Sequence, residues 1–76
     1  MIDELDVVVL ARDIKKHGLK EGDIGTVVHR YSDKKLLEAE FIKANGETVA
    51  VMTLRPDDIR NVAKDEILHV RGFSTA

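Results

Sequence analysis

The stretch "LLEAEFIKANGETVAVMTL", residues 36–54, constrains the fold more than any other part of the chain. Asn45-Gly46 stands between two alternating apolar runs, and Asn-Gly in that setting is the strongest short-range hairpin signal a sequence carries. Read as a two-residue type I′ turn, it sets Ala44 opposite Glu47, and pairing runs backward from there. Phe41 then faces Ala50, Ala39 faces Met52 and Leu37 faces Leu54. All six are apolar and share one face, because strand side chains alternate with period two. The other face receives Ile42 with Val49, Glu40 with Val51 and Glu38 with Thr53. A one-residue slip would mix the two sets, so turn and core together specify the register.

This second face is more apolar than a free surface needs, with Ile42, Val49 and Val51 clustered on it. A cover is therefore expected: the N- or C-terminal segment of the chain itself, a partner protein or a second copy.

The punctuation elsewhere is that of a β protein. "DVVVLA", Asp6–Ala11, is a β-branched run and reads as a well-buried first strand. "RDIKKHGLKEGD" is a long polar loop that can hold a helical turn near Ile14–His17, ended by Gly18. "IGTVVHRY" reads as the second strand, "SDKK" as a turn, "LLEAEFI" as the third strand and "TVAVMTL" as the fourth. Pro56 presets φ for a helical or 3₁₀ turn, and Asp57 and Asp58 suit its first residues. In "NVAKDEILHVRGF", the alternation of Ile67, His69 and Arg71 with Leu68 and Val70 predicts a last strand over Glu66–Arg71.

Length and composition narrow the function classes. With 76 residues the chain is one domain, its core spanning about residues 4–71. A domain this short buries only about 60% of its unfolded surface, and a deep substrate cavity would remove much of that core. No cysteine is present, which removes disulfide scaffolds, thiolate zinc sites and thiol nucleophiles together. The N-terminal "MIDELDVVVLARD" is acidic and its apolar run short, so it reads as neither a signal peptide nor a membrane span; a cytoplasmic protein without membrane contact is expected. The net charge of -2 is unevenly laid out: residues 1–14 carry -3, residues 15–35 carry +3 and residues 36–76 carry -2.

Five short strands, a long first loop, the "GDIGTVV" turn into the second strand and a 3₁₀ turn before the last strand have the layout of an SH3-like barrel. The expected fold class is thus all-β, a small five-stranded SH3-like barrel. Gly22 suits a tight turn, and Gly25 lets the bent second strand pass close to its neighbour. Beyond the layout, "ELDVVVLARDIKKHGLKEGDIGTVVHRY" with "AEFIKANGETVAVMTLRPDDIR" resembles a family of short bacterial proteins described as domain of unknown function 4926. The resemblance covers roughly residues 4–60. It implies an SH3-like barrel and a soluble bacterial protein, and it brings no catalytic residues. It also suggests companions of other small bacterial proteins, in pairs like those of toxins and antitoxins.

No motif carries recognisable chemistry. "GLKEGDIG" lacks both G-x-x-x-x-G-K-[ST] and G-x-G-x-x-G, and Asp23 would repel a phosphate, so it reads as a turn. Its Gly22-x-x-Gly25-x-Val27 pattern is also found in KOW-like nucleic-acid barrels. That reading needs Lys20, Arg30, Lys34 and Lys35 on one side with Tyr31 available for stacking. An acidic chain with 4% aromatic residues supports it poorly. His17, His29 and His69 fall on separate elements with no ligand spacing, so no metal is called for, nor any cofactor. Glu38 and Glu40 lie about 7 Å apart on one strand face. They read as a solvated face or as ion-pair partners of Lys43 or Arg55, because a glycosidase pair needs a far larger scaffold. Asp57 and Asp58 with Arg60 read as capping and charge compensation.

These observations point to a non-enzymatic protein-interaction module, an antitoxin-like or accessory partner of another small protein, or a homodimer. Ile42, Val49 and Val51 would supply the buried anchors, and Glu38, Glu40 and Arg55 a polar rim. The alternative is a nucleic-acid barrel using Lys20, Arg30, Tyr31, Lys34 and Lys35. A third is an accessory subunit of an enzyme complex.

Overall fold

The β-branched and alternating runs become five strands in a computed structural model that describes residues 2–31 and 35–73. They are β1 (Val7–Leu10), β2 (Ile24–Tyr31), β3 (Leu36–Ile42), β4 (Thr48–Leu54) and β5 (Ile59–Asn61). All pair antiparallel in one sheet of order β4-β3-β2-β1-β5, so the first and last strands are neighbours. Two 3₁₀ turns complete the regular structure, Lys15–His17 in the first long loop and Pro56–Asp58 before β5. Gly18 ends the first in the left-handed conformation, with φ of 71°. The turn expected at "SDKK" falls on residues 32–34, outside the described residues, except for Lys35.

One face of the sheet is the core. Val8, Leu10, Val27, Leu37, Ala39 and Phe41 are buried there, with Leu54 and Ile59 closing its ends. Each large aliphatic or aromatic side chain so removed from water contributes about 1.5–3 kcal/mol, which is how so small a domain offsets its chain entropy. Gly25 is buried opposite the Phe41 ring, and a Cβ there would lie 2.6 Å from the ring edge. The sequence reading of Gly25 as a close-approach residue has this as its physical content.

The hairpin corrects the expected turn. Lys43 N–H donates to Glu47 O at 2.9 Å and Gly46 N–H to Lys43 O at 2.9 Å, so three residues separate the closing pair. Gly46 has φ of 91°, and Asn45 is not among the residues with positive φ. A type I′ turn requires positive φ at both central residues; a type I turn followed by a left-handed glycine requires it only at the glycine. The three-residue loop moves the register by one near the turn, pairing Ile42 with Thr48. A bulge then inserts Val49, and from Phe41 with Ala50 through Leu37 with Leu54 the pairing follows the expected register. The core demanded that register, and the bulge absorbs the turn's extra residue.

The last strand also differs from expectation. It is Ile59–Asn61, not Glu66–Arg71. Residues leaving the 3₁₀ turn meet β1 at once: Ala11 N–H donates to Asp58 O at 2.8 Å, and Leu10, Val9 and Val8 pair with Ile59, Arg60 and Asn61. Since β2 occupies the other edge of β1, no edge of that strand remains for residues 66–71. They run unpaired across the outer side of β1, with Ile67 91% and Val70 90% exposed.

Candidate interaction surface

The face of β3 and β4 turned away from the core carries Glu38, Glu40 and Ile42 on one strand and Val51 and Thr53 on the other, because Leu37, Ala39, Phe41, Ala50 and Leu54 take the inner positions. Ile42 is 57% exposed and Val51 49% exposed. Glu40 pairs with Val51, so Ile42 and Val51 are diagonal neighbours at the turn end of the hairpin. No terminal segment covers them among the described residues, contrary to the expected cover by the chain's own ends. The C-terminal tail instead lies against β1 and β5. There Val9, Ile24, Arg60, Glu66, Leu68 and His69 line a cleft of about 180 Å³.

Val49 does not belong to this face. As the bulged residue it leaves the outer row, is only partly exposed and packs against the core cluster. The sequence could not show this, because a bulge changes which side a residue takes without changing the apolar pattern.

The rim is partly as expected. Glu38 and Glu40 are half-buried, opposite Thr53 and Val51. The Thr48 hydroxyl donates to Glu40 Oε2 at 2.8 Å. Among the described ion pairs neither carboxylate meets Lys43 or Arg55; Lys43 Nζ binds Glu47 Oε1 at 2.7 Å, four residues away across the turn. Arg55 is exposed, and its extended backbone (φ −88°, ψ 156°) continues the outer row past β4. Its N–H donates to Asp58 Oδ2 at 3.0 Å.

Beside this hairpin, β2 presents His29 and Tyr31 on the same outer side, their rings 4.4 Å apart in an edge-to-face contact. The Glu4 carboxylate lies 3.5 Å from His29 Nδ1, and Arg30 Nη1 binds Asp3 Oδ1 at 2.8 Å. The N-terminal acidic residues thus meet the basic end of β2, an ion pairing that net segment charges hinted at but could not place.

The proposed nucleic-acid residues are not gathered. Lys20 precedes β2 and Arg30 and Tyr31 end it, so the strand's length of roughly 20 Å separates them at about 3.3 Å per residue. Arg30 is already paired with Asp3, Lys35 is exposed at the start of β3, and Lys34 lies outside the described residues.

Three carboxylates are held by arginines, two of them across long sequence separations. Asp58 accepts Arg12 Nε at 2.7 Å, 46 residues away, where compensation by Arg60 was expected. The Arg12 hydrogen bond holds the Asp58 carboxyl below its ordinary range, against the opposing effect of burial. Asp23 accepts Arg71 Nε at 2.8 Å and Nη2 at 2.6 Å, and the Lys20 N–H at 2.8 Å. Partial burial resists its ionisation, but the Arg71 bonds, the Lys20 N–H and both positive charges outweigh it and keep the carboxyl low. Glu66 accepts Arg60 through two bonds of 2.7 Å and the Ala63 N–H at 2.7 Å, and is pulled down to about 2, chiefly by Arg60. Arg60 and Arg71 thereby fasten the two ends of the tail, and Phe73 packs against the core beyond. The opposite-charge partners are distant in sequence or in an irregular segment, where spacing carries no signal.

Among the described residues no three His, Asp or Glu side chains converge as a metal site. No described helix is long and apolar enough to cross a membrane. A family model described as "Domain of unknown function (DUF4926)" matches residues 4–61, which contain all five strands and end where the tail begins. No curated protein and no solved structure matches the chain.

Proposed function

We propose that the chain, which belongs to the DUF4926 family, works as a non-enzymatic protein-interaction module of the cytoplasm, with the outer face of the β3–β4 hairpin as its contact surface. The observation that carries this reading is the adjacent exposure of Ile42 and Val51 on a regular, well-supported pair of strands. Behind them the core residues Ala39, Phe41 and Ala50 hold the backbone rigid, so docking would cost little ordering entropy. Glu38, Glu40 and Arg55 form the polar rim around the two anchors. The patch is small, which suits a partner bound reversibly rather than an obligate subunit. The SH3-like layout, a bacterial origin and an antitoxin-like or accessory role fit this reading and belong to the same proposal.

Nucleic acid is the less favoured partner, because Lys20 stands a strand's length from Arg30, and Arg30 is neutralised by Asp3. The test is co-purification of the tagged chain from its native host, beside the Ile42→Asp and Val51→Asp variants. A stoichiometric protein retained by the natural chain and lost with both variants supports the surface. Retention by both variants removes it.

A further inference from the structure

The sheet has two edges, and they are treated differently. β5 is three residues long, carries Arg60 and adjoins the tail fastened by the Arg60–Glu66 pair. β4 is seven residues long, has no proline and no ionisable residue, and bonds to β3 on one side only. Among the described residues no backbone group of Thr48–Leu54 is bonded on its other side. Natural sheets guard such an edge with charge, proline, brevity or a bulge, and β4 has only the bulge at Val49, at its first turn. The five residues Ala50–Leu54 beyond it are regular.

We propose that β4 is a self-pairing edge: two copies of the chain join antiparallel through Ala50–Leu54, making one continuous ten-stranded sheet. Twofold symmetry chooses the second copy as occupant. Across a twofold axis each strand meets itself, so any charge near the axis would meet its own copy, and β4 is the edge strand that offers none. The bulge confines pairing to Ala50–Leu54, which puts Met52 on the axis and Val51 opposite Thr53 of the second copy, a β-branched pair on the outer face. The nearest carboxylates, Glu38 and Glu40 on β3, stand one strand back. Their symmetry mates are then about 14 Å away across three strand spacings, beyond the screening length of about 10 Å at 0.1 M salt. The proposal goes beyond the interaction-module reading: it concerns the strand's backbone edge, whereas that reading concerns the hairpin's outer face.

Sedimentation velocity over a concentration series, with amide hydrogen exchange on the same samples, tests it. The natural chain is expected to dimerise with rising concentration, and alternate amides of Ala50–Leu54, exchanging fast when dilute, become protected. Thr53→Lys sets two ammonium groups diagonally across the axis and should weaken association at least about tenfold, equal to about 1.4 kcal/mol. The Ile67→Lys/Val70→Lys tail variant should leave it within about twofold, as surface changes away from the contact do. A chain that stays monomeric throughout overturns the proposal and leaves the face free for a different protein. A dimer insensitive to Thr53→Lys, or lacking the β4 protection, overturns the edge. Loss with Ile42→Asp alone assigns the dimer to the hairpin face, and loss with the tail variant to exchange of the tail.

Discussion

Gly25 and Phe41 are matched across the sheet: the ring edge occupies the place where any β-carbon at position 25 would sit, 2.6 Å from its nearest ring atom. Gly25→Ala therefore forces the ring aside in a packed core, at a cost of about 1–3 kcal/mol. Each kcal/mol lowers the midpoint of a domain this size by about 4–8 °C. Pairing Gly25→Ala with Phe41→Leu should recover part of that loss, since the smaller side chain vacates the space. Thermal melts followed by circular dichroism decide it; simple additivity of the two losses would show that the contact is not what makes the glycine necessary.

Val49 and Val51 should respond to the same change by very different amounts. Val51→Asp places a carboxylate on an exposed row and is expected to shift stability by no more than about 0.5–1 kcal/mol. Val49→Asp puts it against the core cluster without a partner and should cost about 2–3 kcal/mol or more. Equal effects in a denaturant titration would mean that the bulge does not turn Val49 inward in solution.

Asp58 ties the first loop to the second 3₁₀ turn through Arg12 Nε and the Arg55 N–H. Asp58→Ala should cost about 1 kcal/mol, the usual loss for removing a capping side chain. Because the structure holds this carboxyl low, its contribution is fully present above the ordinary carboxylate range and fades as acid protonates it. At pH values below the folded-state pKa, natural and Asp58→Ala chains should therefore converge in stability. A constant gap across the titration would count against the ionised bond.

The tail should resist mild acid. Glu66 ordinarily titrates near 4.5 and is held at about 2 here, so its contribution is complete above pH 4.5 and is lost as pH falls through about 2. Asp23, also depressed, behaves in the same sense at the other end. The Ala63 amide resonance, whose N–H donates to Glu66, is expected to keep its neutral-pH position at pH 4 and move only well below it. Arg71→Ala should move the tail amides at neutral pH while the β2 and β3 resonances stay in place. Movement of the Ala63 resonance already near pH 4.5 would argue that the Arg60–Glu66 pair is not formed in solution.

Alternation by itself determined the all-β class, the extents of β2, β3 and β4, and the pairing of Phe41 with Ala50 through Leu37 with Leu54, while Asn45-Gly46 marked where the hairpin turns. These are matters of period and local conformation, which neighbouring residues settle. Whether residues 66–71 become a strand was decided by tertiary ties: their alternation is real, but Arg60 and Arg71 hold them across the outer side of β1, whose own two edges are taken by β2 and β5. Which side Val49 takes was decided where a three-residue turn had to be reconciled with a core register, and the bulge that reconciles them leaves no mark in the pattern. The long-range pairs Arg12–Asp58 and Arg71–Asp23 likewise exist only once the sheet has brought distant loops together. Exposure of Ile42 and Val51 belongs with these, because the tail that could have covered them is drawn to β1 by Arg60 and Arg71 instead.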